Sequence, residues 1–161
     1  MRNGIFLLLG SNIGDTAGNL STACREIDTR IGNIVKSSSV YKTEPWGITN
    51  QPVFLNQVVM AETGMNALMV LERITAIERA MGRVRNKKWG ARIIDIDILF
   101  YGEKIIHREN LDIPHKGIPF RRFTLEPLFE IAPGFTHPEL QKTIAELLAE
   151  CEDMSLVERL L

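Results

Sequence analysis

Asp95 and Asp97 are the residues most plainly suited to chemistry. They sit inside Arg92-Ile93-Ile94-Asp95-Ile96-Asp97-Ile98-Leu99-Phe100, a run that reads as a strand over Ile93 to Phe100. Alternate residues of a strand share a face. Both carboxylates therefore point the same way, with Cα atoms about 7 Å apart. Ile94, Ile96, Ile98 and Phe100 are expected on the opposite face. Two neighbouring carboxylates repel unless a cation joins them, and Mg²⁺ is commonly held by one or two carboxylates together with substrate phosphates. A solvated strand face would carry the same pattern.

Immediately upstream lie Arg79, Arg83, Arg85, Lys87, Lys88 and Arg92, with no acidic residue between Arg79 and Arg92. Guanidinium forks clamp phosphate oxygens, so a phosphate carrying a bound cation accounts for both the basic and the acidic segment. A charged surface loop is the plainer alternative. Trp89 is suited either to covering a flat ring or to anchoring that loop. Downstream, His115 and Arg121 are placed to donate to phosphate or, for the imidazole, to act as an acid. The spacing of His107, His115 and His137 has no zinc signature.

The elements that must hold these residues follow from periodicity. Ile5 to Leu9 is an apolar strand, too short to span a membrane or form a leader. The turn Gly10-Ser11-Asn12-Ile13-Gly14-Asp15 lacks the Lys-Ser/Thr of a P-loop and is not expected to be the main phosphate cradle. Leu20, Cys24, Ile27 and Ile31 mark a helix face, ended at Gly32-Asn33 by left-handed geometry. Ile34 to Lys42 and Val53 to Glu62 read as paired strands. Leu68, Leu71, Ile74, Ile77 and Met81 mark a second helix, stopped at Gly82, with Met65, Met69 and Met81 expected in the core.

After Gly102 and a short extension at Ile105-Ile106, Pro114, Pro119, Pro127 and Pro133 predict a long loop. A last helix is expected from Pro138-Glu139, burying Leu140, Ile144, Leu147, Leu148 and Cys151. The order β-α-β-β-α-β predicts an α+β, ferredoxin-like core, with an antiparallel sheet flanked by helices in an α-β-α sandwich. No linker divides residues 1–161, so a single domain is expected.

Composition sets the outer bounds. With 45% apolar residues, 24% charged residues and a net charge of -1, the chain is globular and has no global attraction to nucleic acid or anionic membranes. Cys24 and Cys151 are far apart and form no CxxC unit, so reduced thiols and a cytoplasmic location are expected.

Several segments together resemble the 6-hydroxymethyl-7,8-dihydropterin pyrophosphokinase family over nearly the whole chain. They begin with Leu9-Gly10-Ser11-Asn12-Ile13-Gly14-Asp15, Tyr41-Lys42-Thr43-Glu44-Pro45-Trp46-Gly47 and Gln51-Pro52-Val53-Phe54-Leu55-Asn56. Glu78-Arg79-Ala80-Met81-Gly82-Arg83-Val84-Arg85 and Trp89-Gly90-Ala91-Arg92-Ile93-Ile94-Asp95-Ile96-Asp97-Ile98-Leu99 follow. The last are Ile113-Pro114-His115, Arg121-Arg122-Phe123 and Pro127-Leu128-Phe129-Glu130-Ile131-Ala132-Pro133.

The resemblance implies transfer of an intact pyrophosphoryl group from ATP to the pterin hydroxymethyl oxygen in folate synthesis. It implies two Mg²⁺ ions on Asp95 and Asp97. It implies ATP contacts from Glu78, Arg83, Arg85, Trp89, Arg92, Ile98, His115 and Arg121, of which Arg83, Arg92, His115 and Arg121 also serve the reaction. The pterin would meet Thr43, Glu44, Pro45, Phe54, Asn56, Trp89, Asp95 and Phe123. A monomer is expected. Asn110, Asp112 and Thr75 depart from residues that some relatives carry, and the basic loop is one residue shorter than in some. Two rival readings are a different phosphotransferase and a nucleic-acid-binding module; a non-enzymatic interaction domain is a third.

Overall fold

The computed structural model describes residues 3–44, 50–82 and 93–160. Its central sheet is built from β1 (Asn3–Ser11), β2 (Asn33–Ser37), β3 (Val40–Thr43), β4 (Phe54–Thr63), β5 (Asp95–Tyr101) and β8 (Val157–Leu160). A separate hairpin joins β6 (Ile106–Arg108) to β7 (Leu111–Ile113). The strand order is β5-β1-β4-β3-β8, with β2 also on β4, and every pairing is antiparallel. This is the expected ferredoxin-like core, widened by β8.

Helices α1 (Thr16–Arg30) and α2 (Ala67–Ala80) cover one face. There Ile5, Leu7 and Leu9 of β1 meet Leu20, Ile27, Val70, Ile74 and Ile77. Helices α3 (Arg122–Ile131) and α4 (Ile144–Glu150) cover the other, where Phe6, Leu8, Val58 and Phe100 meet Leu125, Leu128, Ile144 and Leu147. Alternation along β1 thus feeds two cores and makes the α-β-α sandwich. Local signals set the helix ends. Asp15, Asn66 and Thr143 accept hydrogen bonds from Gly18 N, Met69 N and Glu146 N respectively. Gly82, at φ 88°, stops α2 as expected.

Several expectations are corrected. Phe100 does not share a face with Ile94, Ile96 and Ile98. A register shift opposite Phe6/Leu7 inserts Leu99 as a bulge, so Leu99 and Phe100 pack with α3 and α4 while Tyr101 returns to the α1–α2 side. The strand expected over Ile34 to Lys42 breaks at Ser38 and Ser39. Ser38 bonds Val58 through N and Oγ, and Ser39 N and Oγ both donate to Glu130. Gly32 does not take a left-handed conformation; a Cβ there would lie 2.1 Å from Glu62 O, so close backbone approach requires it.

On α2 the buried stripe is Ala67, Val70, Ile74, Ile77 and Glu78, leaving Leu68 and Met69 exposed. The long proline-bearing loop contains α3, which runs through Pro127 with that ring buried in the core. The last helix begins at Ile144, not near Pro138, because Thr143 and Glu146 form its capping box. Leu140 consequently lies outside it and is 44% exposed.

Candidate active site

The site forms along one rung of the sheet. Asp95 is paired with Gly10, Gly10 with Asn56, and Asn56 with Tyr41. Directly opposed residues of antiparallel strands share a face, so these side chains project to the α3 side. Gly10 leaves a gap in the rung. A Cβ there would lie 2.8 Å from Asn56 Oδ1 and 3.7 Å from Phe54 Cδ1. Phe54 and Thr43 form the next rung, and the buried Asn56 donates from Nδ2 to Thr43 Oγ1 at 2.6 Å. Phe123, in the first turn of α3, packs against the core on this same side.

The sheet therefore presents a gap floored by Gly10 and bordered by an amide, a hydroxyl, a carboxylate and the Phe54 ring. Such a border suits a flat ligand with donors and acceptors on its edge. Glu44 is not gathered with these groups. Its Oε1 accepts from Leu156 N at 3.3 Å, which turns the carboxylate toward the chain entering β8.

Asp97 lies two pairs further along β5, opposite Leu8, and both aspartates are partly buried on the same side as expected. The edge strand is held at the residue between them. Glu78 is 3% exposed, and its Oε2 accepts from Ile96 N at 2.9 Å. Beyond β5 opens a cleft of about 370 Å³ lined by Leu71, Ile96, Asp97, Ile98, Asp112 and His115, among others. Asp97 thus lies at the meeting of the rung and the cleft. Among the described residues no group of three or more His, Cys, Asp or Glu side chains is arranged to hold a metal ion. Paired hard oxygen donors that leave further ligand positions to phosphate fit Mg²⁺ and not a closed zinc site.

His115 sits at the end of the cleft. Its N–H donates to Leu99 O at 3.0 Å, and its Nδ1 accepts from Gly117 N at 2.9 Å. With Nδ1 accepting, the neutral ring carries its proton on Nε2. Burial, and then the Arg121 guanidinium, push the imidazole down to about 4 from the ordinary 6.5, so it is neutral at pH 7. Arg121 packs across Gly117, where a Cβ would lie 2.7 Å from the guanidinium carbon. That guanidinium carbon also lies 5.8 Å from the Phe123 ring centre.

Thr43, Phe54, Asn56 and Asp95 thus border one region, with Phe123 on the same side of the sheet, while Asp97, Ile98 and His115 line the adjoining cleft, with Arg121 beside His115. Pro45, Arg83, Arg85, Trp89 and Arg92 lie outside the described residues. Sequence reasoning missed the floor made by Gly10, the space left by Gly117 and the part Leu71 plays in the cleft. The first two are glycines beside motif residues, and only packing across strands or turns gives them meaning.

Fold and site together define an α+β protein with a candidate ligand site built on one edge of a ferredoxin-like sheet. The model of the 7,8-dihydro-6-hydroxymethylpterin-pyrophosphokinase (HPPK) family matches residues 6–133, and the chain belongs to that family. It is 38% identical over 155 residues to the 2-amino-4-hydroxy-6-hydroxymethyldihydropteridine pyrophosphokinase of Haemophilus influenzae, covering 95% of this chain and 96% of that one. The enzyme of the same name from Methylorubrum extorquens is 42% identical, with 96% of each chain covered.

A folic acid synthesis protein of Schizosaccharomyces pombe is 37% identical over 89% of this chain, which spans only 20% of that longer protein. Among solved structures, wild-type Plasmodium falciparum HPPK-DHPS with pteroate superposes with a TM-score of 0.79 at 20% identity. That match covers 93% of this chain and 44% of the solved one, so the chain spans under half of that protein.

Proposed function

We propose that this protein transfers the β,γ-pyrophosphoryl group of ATP to the hydroxymethyl oxygen of 6-hydroxymethyl-7,8-dihydropterin, releasing AMP and the pterin diphosphate for tetrahydrofolate synthesis. Family membership supports the reaction class. The observation that carries the site reading is the position of Asp95 and Asp97 on one face of β5, between the Gly10–Asn56 gap and the cleft beside Ile98.

In this reading the pterin lies over Gly10, with Phe54 and Phe123 against its faces and Thr43, Asn56 and Asp95 at its polar edge. Pro45 and Trp89 complete its surroundings, while Glu44 stays turned toward the chain entering β8. The nucleotide enters the cleft, its base near the backbone of Ile98. Its phosphates run past Asp97 toward His115 and Arg121, and Glu78, Arg83, Arg85, Trp89 and Arg92 belong to the same nucleotide site.

Asp95 and Asp97 would hold two Mg²⁺ ions, which supply charge neutralisation and alignment of the phosphates when bound. The chain's own work is then positional and electrostatic. Asp95 and Asn56 orient the hydroxymethyl group. His115 donates from Nε2–H to a phosphate oxygen as a neutral group, and Arg121, Arg83 and Arg92 balance the charge that gathers as the bond to AMP breaks. No covalent intermediate on the protein is required. The domain is assigned to residues 1–161, acting as a monomer in the cytoplasm. No helix among the described residues is long and apolar enough to cross a membrane.

The deciding experiment incubates purified protein with ATP, Mg²⁺ and 6-hydroxymethyl-7,8-dihydropterin and quantifies the nucleotide products. Equal amounts of AMP and pterin diphosphate, dependent on pterin and Mg²⁺, are expected. Formation of ADP would mean ordinary phosphoryl transfer and would overturn the reaction.

A further inference from the structure

The turn after β1 contributes no charged group to the proposed chemistry, yet it is bonded to the lead-in of both strands that carry the site. Asn12 is buried at 2% exposure. Its Nδ2 donates to Gln51 Oε1 at 2.9 Å and to Pro52 O at 3.1 Å. Pro52 lies two residues before Phe54, the first residue of β4, and four before Asn56. Burying an amide side chain is unfavourable unless its hydrogens find partners, and here they join two segments that are 39 and 40 residues apart.

Asn19 does the same on the other side. It stands in the first turn of α1, and its Nδ2 donates to Ser11 Oγ at 3.0 Å, Ile13 O at 3.0 Å and Ile93 O at 3.2 Å. An amide NH₂ has two hydrogens, so the three acceptors share them. Ile93 is two residues before Asp95. The bond therefore ties the turn to the backbone just ahead of the carboxylate strand. A strand's side-chain direction is set by its entry and register, so a shift at Ile93 is felt at Asp95 and Asp97.

We propose that Asn12 and Asn19 are positioning residues with separate duties: Asn12 sets the pterin wall through Gln51 and Pro52, and Asn19 sets the carboxylate strand through Ile93. The turn from Gly10 to Asp15 is then a two-sided clamp that fixes how far the pterin-binding strand stands from the phosphate-binding strand. This inference rests on the reaction proposed above. It gives the turn a role other than that of a phosphate cradle, and it adds two residues that touch neither substrate.

The test separates the two substrates. In Asn12→Ala the KM for the dihydropterin rises about tenfold, the scale of two lost hydrogen bonds, while the KM for MgATP stays within about twofold. In Asn19→Ala the KM for MgATP rises about tenfold and the KM for the dihydropterin by a clearly smaller factor, because a shift of the strand at Ile93 reaches Asp95 as well as Asp97. Asn12→Asp and Asn19→Asp keep the side-chain size but remove the donor, and each reproduces the split of its alanine partner. Thermal melts of all four variants allow every assay to be run well below unfolding. A purely structural role would lower the melting temperature and move both KM values together, or neither, and either result overturns the clamp. Wild-type protein that makes no AMP overturns the reaction and the clamp with it. Active wild-type protein with unsplit variants overturns the clamp alone.

Discussion

Glu78 Oε2 accepts a hydrogen bond from the backbone N–H of Ile96, the residue between Asp95 and Asp97, at 2.9 Å. Among the described residues β5 is at the edge of the sheet, so no described strand bonds that N–H on the side away from β1. The carboxylate of a helix residue takes the place of the missing strand. Glu78→Ala leaves a buried donor unsatisfied and is expected to cost about 1–3 kcal/mol. Glu78→Gln keeps an acceptor and is expected to lose less. Urea denaturation of the two variants checks the order. A Glu78→Gln loss as large as that of Glu78→Ala would mean that the charge, and not the bond to Ile96, is what matters.

Asp95 and Asp97 share a face but have different neighbours. Asp95 shares a rung with Gly10 and Asn56, whereas Asp97 is paired with Leu8 and lines the cleft. Both Asp95→Asn and Asp97→Asn are expected to reduce AMP formation by roughly a hundredfold or more, since each removes an anionic oxygen from the proposed Mg²⁺ site. Only Asp95→Asn should also weaken dihydropterin binding in a fluorescence titration made without nucleotide. Equal pterin affinity in the two variants would remove Asp95 from the pterin edge.

The parts of this arrangement that were legible in the sequence are those governed by local periodicity. Alternation in Ile94-Asp95-Ile96-Asp97-Ile98 places both carboxylates correctly, because the strand is regular that far. It fails one residue later, at Leu99, because a bulge depends on how β1 and β5 pair and leaves no mark in a single strand. Pro127 suggested a loop because a mid-helix proline forfeits a hydrogen bond, but burial of α3 against the sheet outweighs that loss. Pro138 suggested a helix start, but the chain first makes a bridge between Thr136 and Thr143, and the helix begins only after the Thr143–Glu146 capping box. In the candidate site, residue type was enough to mark Asp95, Asp97 and His115 as candidates, and the structure brings them to the rung and the adjoining cleft. The roles of Gly10, Gly117, Asn12 and Asn19 depend on neighbours across a sheet or turn, so type alone said little.

Gly117 offers a way to disturb the phosphate end without touching the core. A Cβ at this position would meet the Arg121 guanidinium, with Cζ and Nε both at 2.7 Å. The obstacle is the far end of a flexible side chain, so Gly117→Ala is expected to displace Arg121 and leave the fold in place. Because Arg121 stands beside His115 and is proposed to face the phosphates, the KM for MgATP should rise or kcat fall by roughly tenfold or more. The melting temperature should change by only a few degrees, consistent with a cost below about 1 kcal/mol. If activity were retained in full, the position of Arg121 over Gly117 would not matter to the reaction.

The histidines give a pH prediction whose direction differs from residue to residue. His115 is pushed down to about 4 by burial and by Arg121, below the 6.5 of an unfolded chain. Between these values the unfolded state binds the proton and the folded state does not. Stability from this group is therefore fully present above about pH 6.5 and is lost as pH falls toward 4, by at most about 3 kcal/mol. His107 shifts the other way, raised by hydrogen bonds from its ring to Asp112 and Glu139. Its contribution is present below the unfolded value and disappears as pH rises through its higher folded value. Proton NMR titration of the imidazole resonances should find His115 unprotonated at pH 5.5 while His107 is protonated. The rate profile should then show no His115 inflection between pH 6 and 8, because the ring acts throughout as a neutral Nε2–H donor. A His115 titration near 6.5 would mean that the imidazolium is available at the phosphates, and the neutral-donor role would have to be given up in favour of acid catalysis.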